Sequence, residues 1–216
     1  MICAIVLAAG RSGRMGTQKL LLPLENKPVV AHVVDALLRS SLERTVVVVG
    51  RDGARVREAL GDRNMAFIQN PDTEGEMLGS IRCGLRALPA SCAAVLVALG
   101  DQPGVTAELV SGLVRAFRET GRGIIVPAYH GKRGHPILFA TRFRDEVLSK
   151  YDGIGLRGLL DAHPAEVLEV PVSVASVLED MDTPEDYERQ KKRTEGEFIS
   201  SQQPAWHSSE IVRRRR

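Results

Sequence analysis

The stretch AIVLAAGRSGRMGTQKLLL, residues 4–22, decides the fold that we predict for this chain. An apolar run ends at Ala8 and Ala9, three glycines then alternate with arginine and serine, and Lys19 closes the segment. Glycines allow a backbone to approach a ligand closely, and exposed N–H groups beside three cations favour an anion. The stretch therefore predicts a first β-strand followed by a loop that binds the phosphates of a nucleotide.

The spacing of the glycines separates this loop from the two common nucleotide-binding motifs. It contains no G-K-[ST] sequence, and Gly10, Gly13 and Gly16 are spaced three apart rather than as GxGxxG. A P-loop ATPase and a plain NAD-binding fold are therefore disfavoured. A flexible turn without a ligand is the alternative, but it does not account for the three cations among the glycines.

Downstream of the loop, the apolar pattern alternates between strand and helix periods. Continuous apolar runs at 45–49 and 94–99 are typical of strands buried on both faces of a parallel sheet. Other strands are predicted at 2–7, 66–69, 123–126 and 167–172, and helices at 29–41, 54–60, 77–88, 106–119, 142–149, 156–162 and 184–193. The short apolar run 137–139 is interpreted as an excursion from the sheet. The pattern predicts an α/β fold.

The length and the change of composition near the end indicate the domain organisation. Residues 1–193 fit a single domain, since 216 residues are enough for one substantial core. From 194 to 216 too few apolar residues occur at any period to form a packed element, and we predict a disordered tail that ends in four arginines.

Overall charge and cysteine usage narrow the class of partners. Lysine and arginine number 29 against 27 acidic residues, so the net charge of +2 gives no reason to expect nucleic acid as a partner. No apolar run approaches the ~20 residues of a membrane span. Cys3, Cys83 and Cys92 lie in apolar surroundings without metal-ligand spacing, and we expect buried reduced thiols in a cytoplasmic protein.

Two carboxylates are candidate metal ligands. Asp101 follows the strand 94–99, and ligands of open α/β sheets bind at the carboxyl ends of strands. A phosphate-binding loop at the same edge makes Asp101 a candidate for Mg²⁺, which is usually held by one or two carboxylates and phosphate oxygens. Asp182 is a second candidate, although capping of the last helix through Thr183 also explains it. Whether Asp182 or Asp180 contacts the metal stays open.

His135 precedes a proline in the polar segment 129–136. It could be a base, a ligand for the phosphate of a second substrate, or a solvated turn residue. If that second phosphate is the nucleophile, it is already ionised at pH 7 and a base is not needed. We predict that His135 binds this phosphate, and so the substrate that accepts the transferred group.

Taken together, these residues resemble a known family, the MobA-like nucleotidyltransferases. Residues 7–16, LAAGRSGRMG, with Lys19 are similar to its signature LAAGxSxRMGxxK, and within the family the chain looks most like the molybdenum cofactor cytidylyltransferases. Further similarity lies in Asn70-Pro71, Gly75, Met77 and Ser80, in GDQP (100–103), in RGHP (133–136) and in DMDTPED (180–186). The resemblance spans about residues 2–190.

The resemblance implies a Rossmann-like three-layer fold of the nucleotide-diphospho-sugar transferase type, with a mostly parallel sheet, and Mg²⁺-dependent transfer of a nucleoside monophosphate with release of pyrophosphate. It also implies the site residues. Ala8, Ala9 and Gly10 would meet the base and sugar; Ser80 would help to read the base; Asp101 would bind Mg²⁺; and the phosphates would be held by Ser12, Gly13, Arg14 and Lys19. Arg14, Lys19 and Asp101 would be catalytic.

The resemblance further implies the substrates. Related guanylyltransferases tend to have LAGG and an acidic residue where this chain has Ala9 and Lys19, which favours CTP, with molybdopterin or molybdenum cofactor as the phosphorylated acceptor and a molybdoenzyme as a possible client. In one departure, residues 152–157 read DGIGLR where the family commonly shows GDxGAR. Transfer from GTP or to a sugar phosphate, and a non-catalytic nucleotide-binding partner that delivers a cofactor, remain the alternatives.

Overall fold

A central sheet with helices on both faces forms the body of the protein. The computed structural model describes residues 1–10, 18–72 and 76–201. The strands in this part of the chain are β1 (Ile2–Ala8), β2 (Pro23–Leu24), β3 (Lys27–Pro28), β4 (Arg44–Val49), β5 (Ala66–Gln69), β6 (Ala94–Leu99), β7 (Ile124–Tyr129), β8 (Lys132–Arg133), β9 (Ile137–Ala140) and β10 (Val167–Pro171). The helices are α1 (Val29–Leu38), α2 (Gly53–Leu60), α3 (Met77–Ala87), α4 (Ala107–Thr120), α5 (Arg144–Ser149), α6 (Leu156–Ala162) and α7 (Pro184–Ser201).

The main sheet is mostly parallel, in the order β10-β7-β9-β6-β1-β4-β5, with β8 added to β7. Strands β4 and β6 flank β1 and run parallel to it. Strand β9 is antiparallel to both of its neighbours, β6 and β7. The prediction that 137–139 leaves the sheet is therefore wrong. Residues 137–140 form a strand in the interior of the sheet. A run of four apolar residues is too short to show a period, and its pairing with β6 and β7 cannot be read from the local sequence.

The two faces of the sheet carry separate apolar cores, which give the predicted three layers. Alternate residues of β1 point to opposite faces. Val6 packs in the core that includes α1 and α4, and Ile5 packs in the core that includes α3, α5 and α6. Helix α3 lies very close to the sheet, because a Cβ at Gly84 would come within 2.8 Å of the Ile5 side chain. The α/β prediction is confirmed.

The last helix is longer than the sequence suggests. Helix α7 begins with the predicted proline at Pro184, and Asp186 accepts hydrogen bonds from the backbone N–H and hydroxyl of Thr183 at 2.9 Å. It continues to Ser201, so the predicted end at Arg193 is wrong. Extending an existing helix requires only one further hydrogen bond per residue, which polar residues can form without apolar packing. The predicted tail, 194–216, thus begins within this helix, and its part from 202 onward lies outside the described residues.

Two of the three cysteines are joined, which corrects the expectation of reduced thiols. Cys3 of β1 and Cys92, just before β6, form a disulfide with a Cα–Cα distance of 6.2 Å. The parallel pairing of β1 with β6 brings these positions together, since Cys3 is in register with Val95. Cys83 is a free thiol on α3. Spacing in the sequence gave no signal of this pairing because 89 residues separate the partners.

Candidate active site

The candidate site lies at the carboxyl ends of the central strands. Strand β1 ends at Ala8, and Ala9 and Gly10 follow it at the edge of the sheet. At the end of β6, the Gly100 N–H donates to Leu7 O at 3.0 Å, and a Cβ on Gly100 would come within 2.8 Å of that oxygen. A side chain is therefore excluded at Gly100. This close contact holds Asp101 beside the end of β1.

An ammonium group joins the two predicted metal ligands. Lys19 begins a single 3-10 turn after the loop, and its Nζ lies 2.7 Å from Asp182 Oδ1 and in contact with Asp101 Oδ2. The Lys19 side chain is 13% exposed and that of Asp182 is 44% exposed. The structure thus brings together Lys19, Asp101 and Asp182 from three distant parts of the chain.

The electrostatic balance of this cluster keeps the lysine charged. Burial alone would lower the pKa of Lys19, but hydrogen bonds and charge from Asp101 and Asp182 outweigh it and raise the pKa above its usual value. One ammonium and two carboxylates have a net charge of −1. The ammonium can therefore help to neutralise phosphate oxygens only when a divalent cation offsets the two carboxylates.

The same carboxylates fit a divalent cation. Because Asp101 and Asp182 both reach one ammonium nitrogen, their oxygens can face a single cation. Among the described residues, no cluster of three or more histidines, cysteines or acidic residues could hold a metal by itself. The chemistry matches Mg²⁺, which typically takes one or two carboxylates and completes its shell with phosphate oxygens and water.

Ser80, the predicted base reader, is buried next to a strand end. Its hydroxyl oxygen accepts a 3.0 Å hydrogen bond from Asn70 Nδ2, and both residues are buried. Asn70 directly follows β5, and its N–H donates to Val49 O at the end of β4. The hydroxyl proton of Ser80 can be donated to another group, since its oxygen serves as acceptor in this bond.

His135 lies near the carboxylate cluster on the other side of β6. Its backbone N–H donates to Val177 O at 2.9 Å. Burial lowers the pKa of His135 even though the charges of Asp180 and Asp101 act in the opposite direction. The imidazole is therefore neutral near pH 7, and it would meet a phosphate as a hydrogen-bond donor rather than as a cation.

A large cavity opens beside His135. Its volume is about 880 Å³, within the range typical of small-molecule sites. The inner wall is mainly apolar and is formed by Leu78, Ile81, Val97, Ile137, Leu156 and Leu160. Charged groups, among them Lys132, Arg133 and Arg157, lie around it, and Arg133 is paired with Glu169 at 2.7 Å. The cavity can hold an organic molecule with an apolar body.

Three of the predicted phosphate ligands, Ser12, Gly13 and Arg14, lie outside the described residues, and their roles stay predictions. Two polar residues, Asn70 and Gln102, were quoted from the sequence only as parts of similar motifs and were given no role in the site. Asn70 contacts Ser80, and Gln102 is buried and donates to Asp180 Oδ1 at 2.6 Å. Their common signal is a polar residue shortly after an apolar strand, the same pattern that identified Asp101.

The fold and the site together define a class. A lysine and two acidic side chains at one edge of a mostly parallel sheet, with a glycine-rich sequence directly after its first strand, are typical of an α/β enzyme that binds a nucleotide and acts on its phosphates. The chain belongs to the MobA-like NTP transferase domain family, whose profile matches residues 4–167. It is accordingly a nucleotidyltransferase.

Among the described residues, no helix has the length and apolar character to cross a membrane.

Two curated relatives illustrate the range of this similarity. The chain is 40% identical over 124 residues to the bifunctional protein GlmU of Symbiobacterium thermophilum, a match that covers 55% of this chain and only 25% of that protein. It is 26% identical over 196 residues to the molybdenum cofactor cytidylyltransferase of Escherichia coli, which covers 89% of this chain and 96% of the relative.

Solved structures share the fold over nearly their whole length. Rv0371c of Mycobacterium tuberculosis superposes with a TM-score of 0.78 at 27% identity, over 88% of this chain and 97% of that one. A nucleotidyl transferase from Methanothermobacter thermautotroptrophicus superposes with a TM-score of 0.79 at 25% identity, over 93% of this chain and 99% of that one. Rv0371c has also been solved in complex with manganese. That structure superposes with a TM-score of 0.74 at 25% identity, over 88% of this chain and 98% of that one.

Proposed function

We propose that the protein transfers CMP from CTP to the terminal phosphate of molybdopterin or molybdenum cofactor, with release of pyrophosphate. The observation that carries this proposal is the contact of Lys19 with Asp101 and Asp182. It supplies both a cation for the leaving phosphates and acidic groups for a metal. The cavity beside His135 supplies room for the acceptor.

The chain's own residues act by position and charge. An oxygen of the acceptor phosphate attacks the α-phosphorus of CTP, and the bond from that phosphorus to the bridging oxygen breaks as pyrophosphate leaves. The two substrates are polyanions that repel each other until they are neutralised. Lys19, together with Arg14, would draw negative charge onto the pyrophosphate, while His135 would hold the acceptor phosphate through an N–H. No covalent enzyme intermediate is needed.

Asp101 and Asp182 would hold Mg²⁺, the cofactor that we propose. When bound, Mg²⁺ supplies neutralisation of phosphate charge in the transition state. The support is the ability of both carboxylates to face one cation, and the manganese complex of Rv0371c is a related case.

The choice of CTP and of a pterin acceptor rests on three supports. The Escherichia coli cytidylyltransferase is similar over nearly its whole length. Ala9 and Lys19 differ from the residues that related guanylyltransferases tend to have. The apolar inner wall of the cavity favours a ring system over a fully hydroxylated acceptor, because hydroxyl groups buried without partners are unfavourable.

A sugar phosphate is the second candidate acceptor. It is favoured by the higher local identity, 40%, to the bifunctional protein GlmU, although the chain spans only a quarter of that protein. The charged residues around the cavity are also compatible with hydroxyl groups. The same site would then transfer a nucleotide from another NTP.

One assay separates these proposals. Purified protein with Mg²⁺ is incubated with each of the four NTPs, with molybdopterin, its molybdenum-bearing form, a sugar phosphate, a polyol phosphate or no acceptor, and pyrophosphate is measured. A signal that requires CTP and the pterin is the expected result. A signal with a sugar phosphate instead would establish the second candidate, and NTP binding without any pyrophosphate would indicate a non-catalytic delivery partner.

We further propose a molybdoenzyme client, no role for nucleic acid, and a cytoplasmic location, for which the Cys3–Cys92 disulfide is not a support, since disulfides are rare in the cytosol. The client proposal is tested by co-purification of molybdoenzymes with the tagged protein. Failure to retain any molybdoenzyme would contradict the client proposal.

A further inference from the structure

Two exposed apolar side chains lie on the wall of the large cavity. In the described part of the chain, the exposed large apolar residues are Met1, Met77 (55% exposed) and Ile154 (61% exposed). The last two both line the cavity beside His135. Single exposed apolar residues are common on protein surfaces, but two that border one cavity mark a binding surface.

The segment that carries Ile154 is fastened to the helix that carries Met77. Asp152 and Gly153 bind Arg82 and Glu76: Arg82 Nη1 donates to Asp152 Oδ1 at 2.6 Å, and the Gly153 N–H donates to Glu76 Oε2 at 2.9 Å. Two further bonds from Arg82 go to the carbonyl oxygens of Val147 at 3.0 Å and Lys150 at 2.7 Å. The two apolar side chains are thus attached to one rigid unit.

The backbone of this segment adopts a conformation that requires such support. Tyr151 has a φ of 75°, a left-handed value that is uncommon for a residue with a side chain, and Gly153 and Gly155 have similar values. The Tyr151 hydroxyl donates to Glu146 at 2.6 Å. A fixed segment does not have to be ordered when a ligand binds, so its exposed side chain is pre-organised for contact.

We propose that Met77 and Ile154 pack against the face of the acceptor's ring system and select an acceptor with a flat ring over a non-planar, hydroxylated one. This inference rests on the proposed function. The occupant is a small molecule rather than a protein surface, because the two residues continue an apolar wall that leads inward to Ile137 and His135. The phosphate end of a ring held there would meet His135, which lines the same cavity.

Substitution of each residue by serine tests the proposal. Met77→Ser and Ile154→Ser should each raise the KM for the pterin acceptor about tenfold, because a methionine or isoleucine that is buried on binding contributes on that scale. The kcat at saturating acceptor and the KM for CTP should stay within about twofold of wild type. Both positions are exposed, so folding should be retained, and the thermal midpoint checks this.

Lys150→Ser is the matched control, since Lys150 lies on the same segment, is exposed and does not line the cavity. Its acceptor KM should equal that of wild type. A second measurement omits turnover: the intrinsic fluorescence of a pterin phosphomonoester is titrated with protein in the absence of nucleotide. Wild type and Lys150→Ser should bind alike, and the two serine variants should bind about tenfold more weakly.

The outcomes separate this inference from the proposed function. If wild type transfers CMP to the pterin and both serine variants keep its KM and binding, the inference is overturned and the proposed function stands. If wild type uses a sugar phosphate and binds no pterin, both are overturned. If the variants lose only binding to a molybdoenzyme, the pair is a protein interface and the inference is wrong.

Discussion

Replacing Lys19 by methionine should tighten metal binding while it abolishes most of the activity. The ammonium lies between the carboxylates that would hold a divalent cation, so the cation must displace it. At 2.7 Å, a pair of unit charges is worth ~1.5 kcal/mol with the dielectric constant of water and ~6 kcal/mol at an effective value near 20. Asp182 is 44% exposed, so the lower figure applies to this pair and corresponds to about tenfold in affinity. The contact with Asp101 adds to it, so about tenfold is the minimum.

The assay is electron paramagnetic resonance of free Mn²⁺ titrated with protein, without nucleotide. Lys19→Met should bind Mn²⁺ at least about tenfold more tightly than wild type, and Asp101→Asn should bind it more weakly. In the transfer assay, Lys19→Met should be slower by at least ~10²-fold, because the leaving phosphates lose one well-placed cation. Equal or weaker Mn²⁺ binding by Lys19→Met would show that the metal does not compete with the ammonium, and the reasoning would fail.

Other contacts give predictions that are simpler to test. Asp101→Asn should slow pyrophosphate release at least ~10²-fold at saturating CTP and Mg²⁺, and turnover near wild type would remove the residue from the site. Gly84→Ala should destabilise the fold by ~1–3 kcal/mol in urea unfolding, because the new Cβ would meet the strand below at 2.8 Å; Gly112→Ala, with no atom within 4 Å, is the control and should not destabilise. Cys92→Ser should cost ~2–4 kcal/mol of stability, and reductant should produce the same loss in wild type but none in the variant. Stability should also fall as the pH drops from 4.5 towards 2, because hydrogen bonds from a tyrosine and a histidine hold the pKa of Glu146 at about 2 in the folded state. The Glu146 carboxylate stabilises the fold at pH values above its usual pKa, and this contribution is lost when the carboxylate is protonated. Glu146→Gln should therefore reduce the loss of stability between pH 4.5 and 2, measured by circular dichroism.

The sequence predicted the edge of the sheet on which the site lies. Buried strands in a parallel sheet must end at one edge, so Asp101 and the loop after β1 were expected to be neighbours. The contact of Lys19 with Asp182 was not predictable in the same way. It depends on how the segment before α7 packs against the sheet, and 163 residues separate the two partners.

Features set by long-range pairing were the ones that local patterns missed. Four apolar residues at 137–140 carry no information on whether they pair with β6 and β7, and periodicity cannot show that Cys3 and Cys92 are adjacent. The exposure of Ile154 is similar. An isoleucine between two glycines gives no indication from sequence that its side chain will border a cavity.

Helix α3 has a consequence for how acceptor choice can evolve in this family. It contacts Asn70 through Ser80, near the strand ends, and it holds the segment 150–153 through Glu76 and Arg82. The attachment points of this segment are therefore separate from the charged cluster around Lys19. In a chimera, residues 150–157 and the residue at position 82 would be taken from a related enzyme. The chimera should use the acceptor substrate of that enzyme and keep the nucleotide preference of this one. Substrate diversity would then arise by replacing a short insert, and the chemical machinery would be left intact.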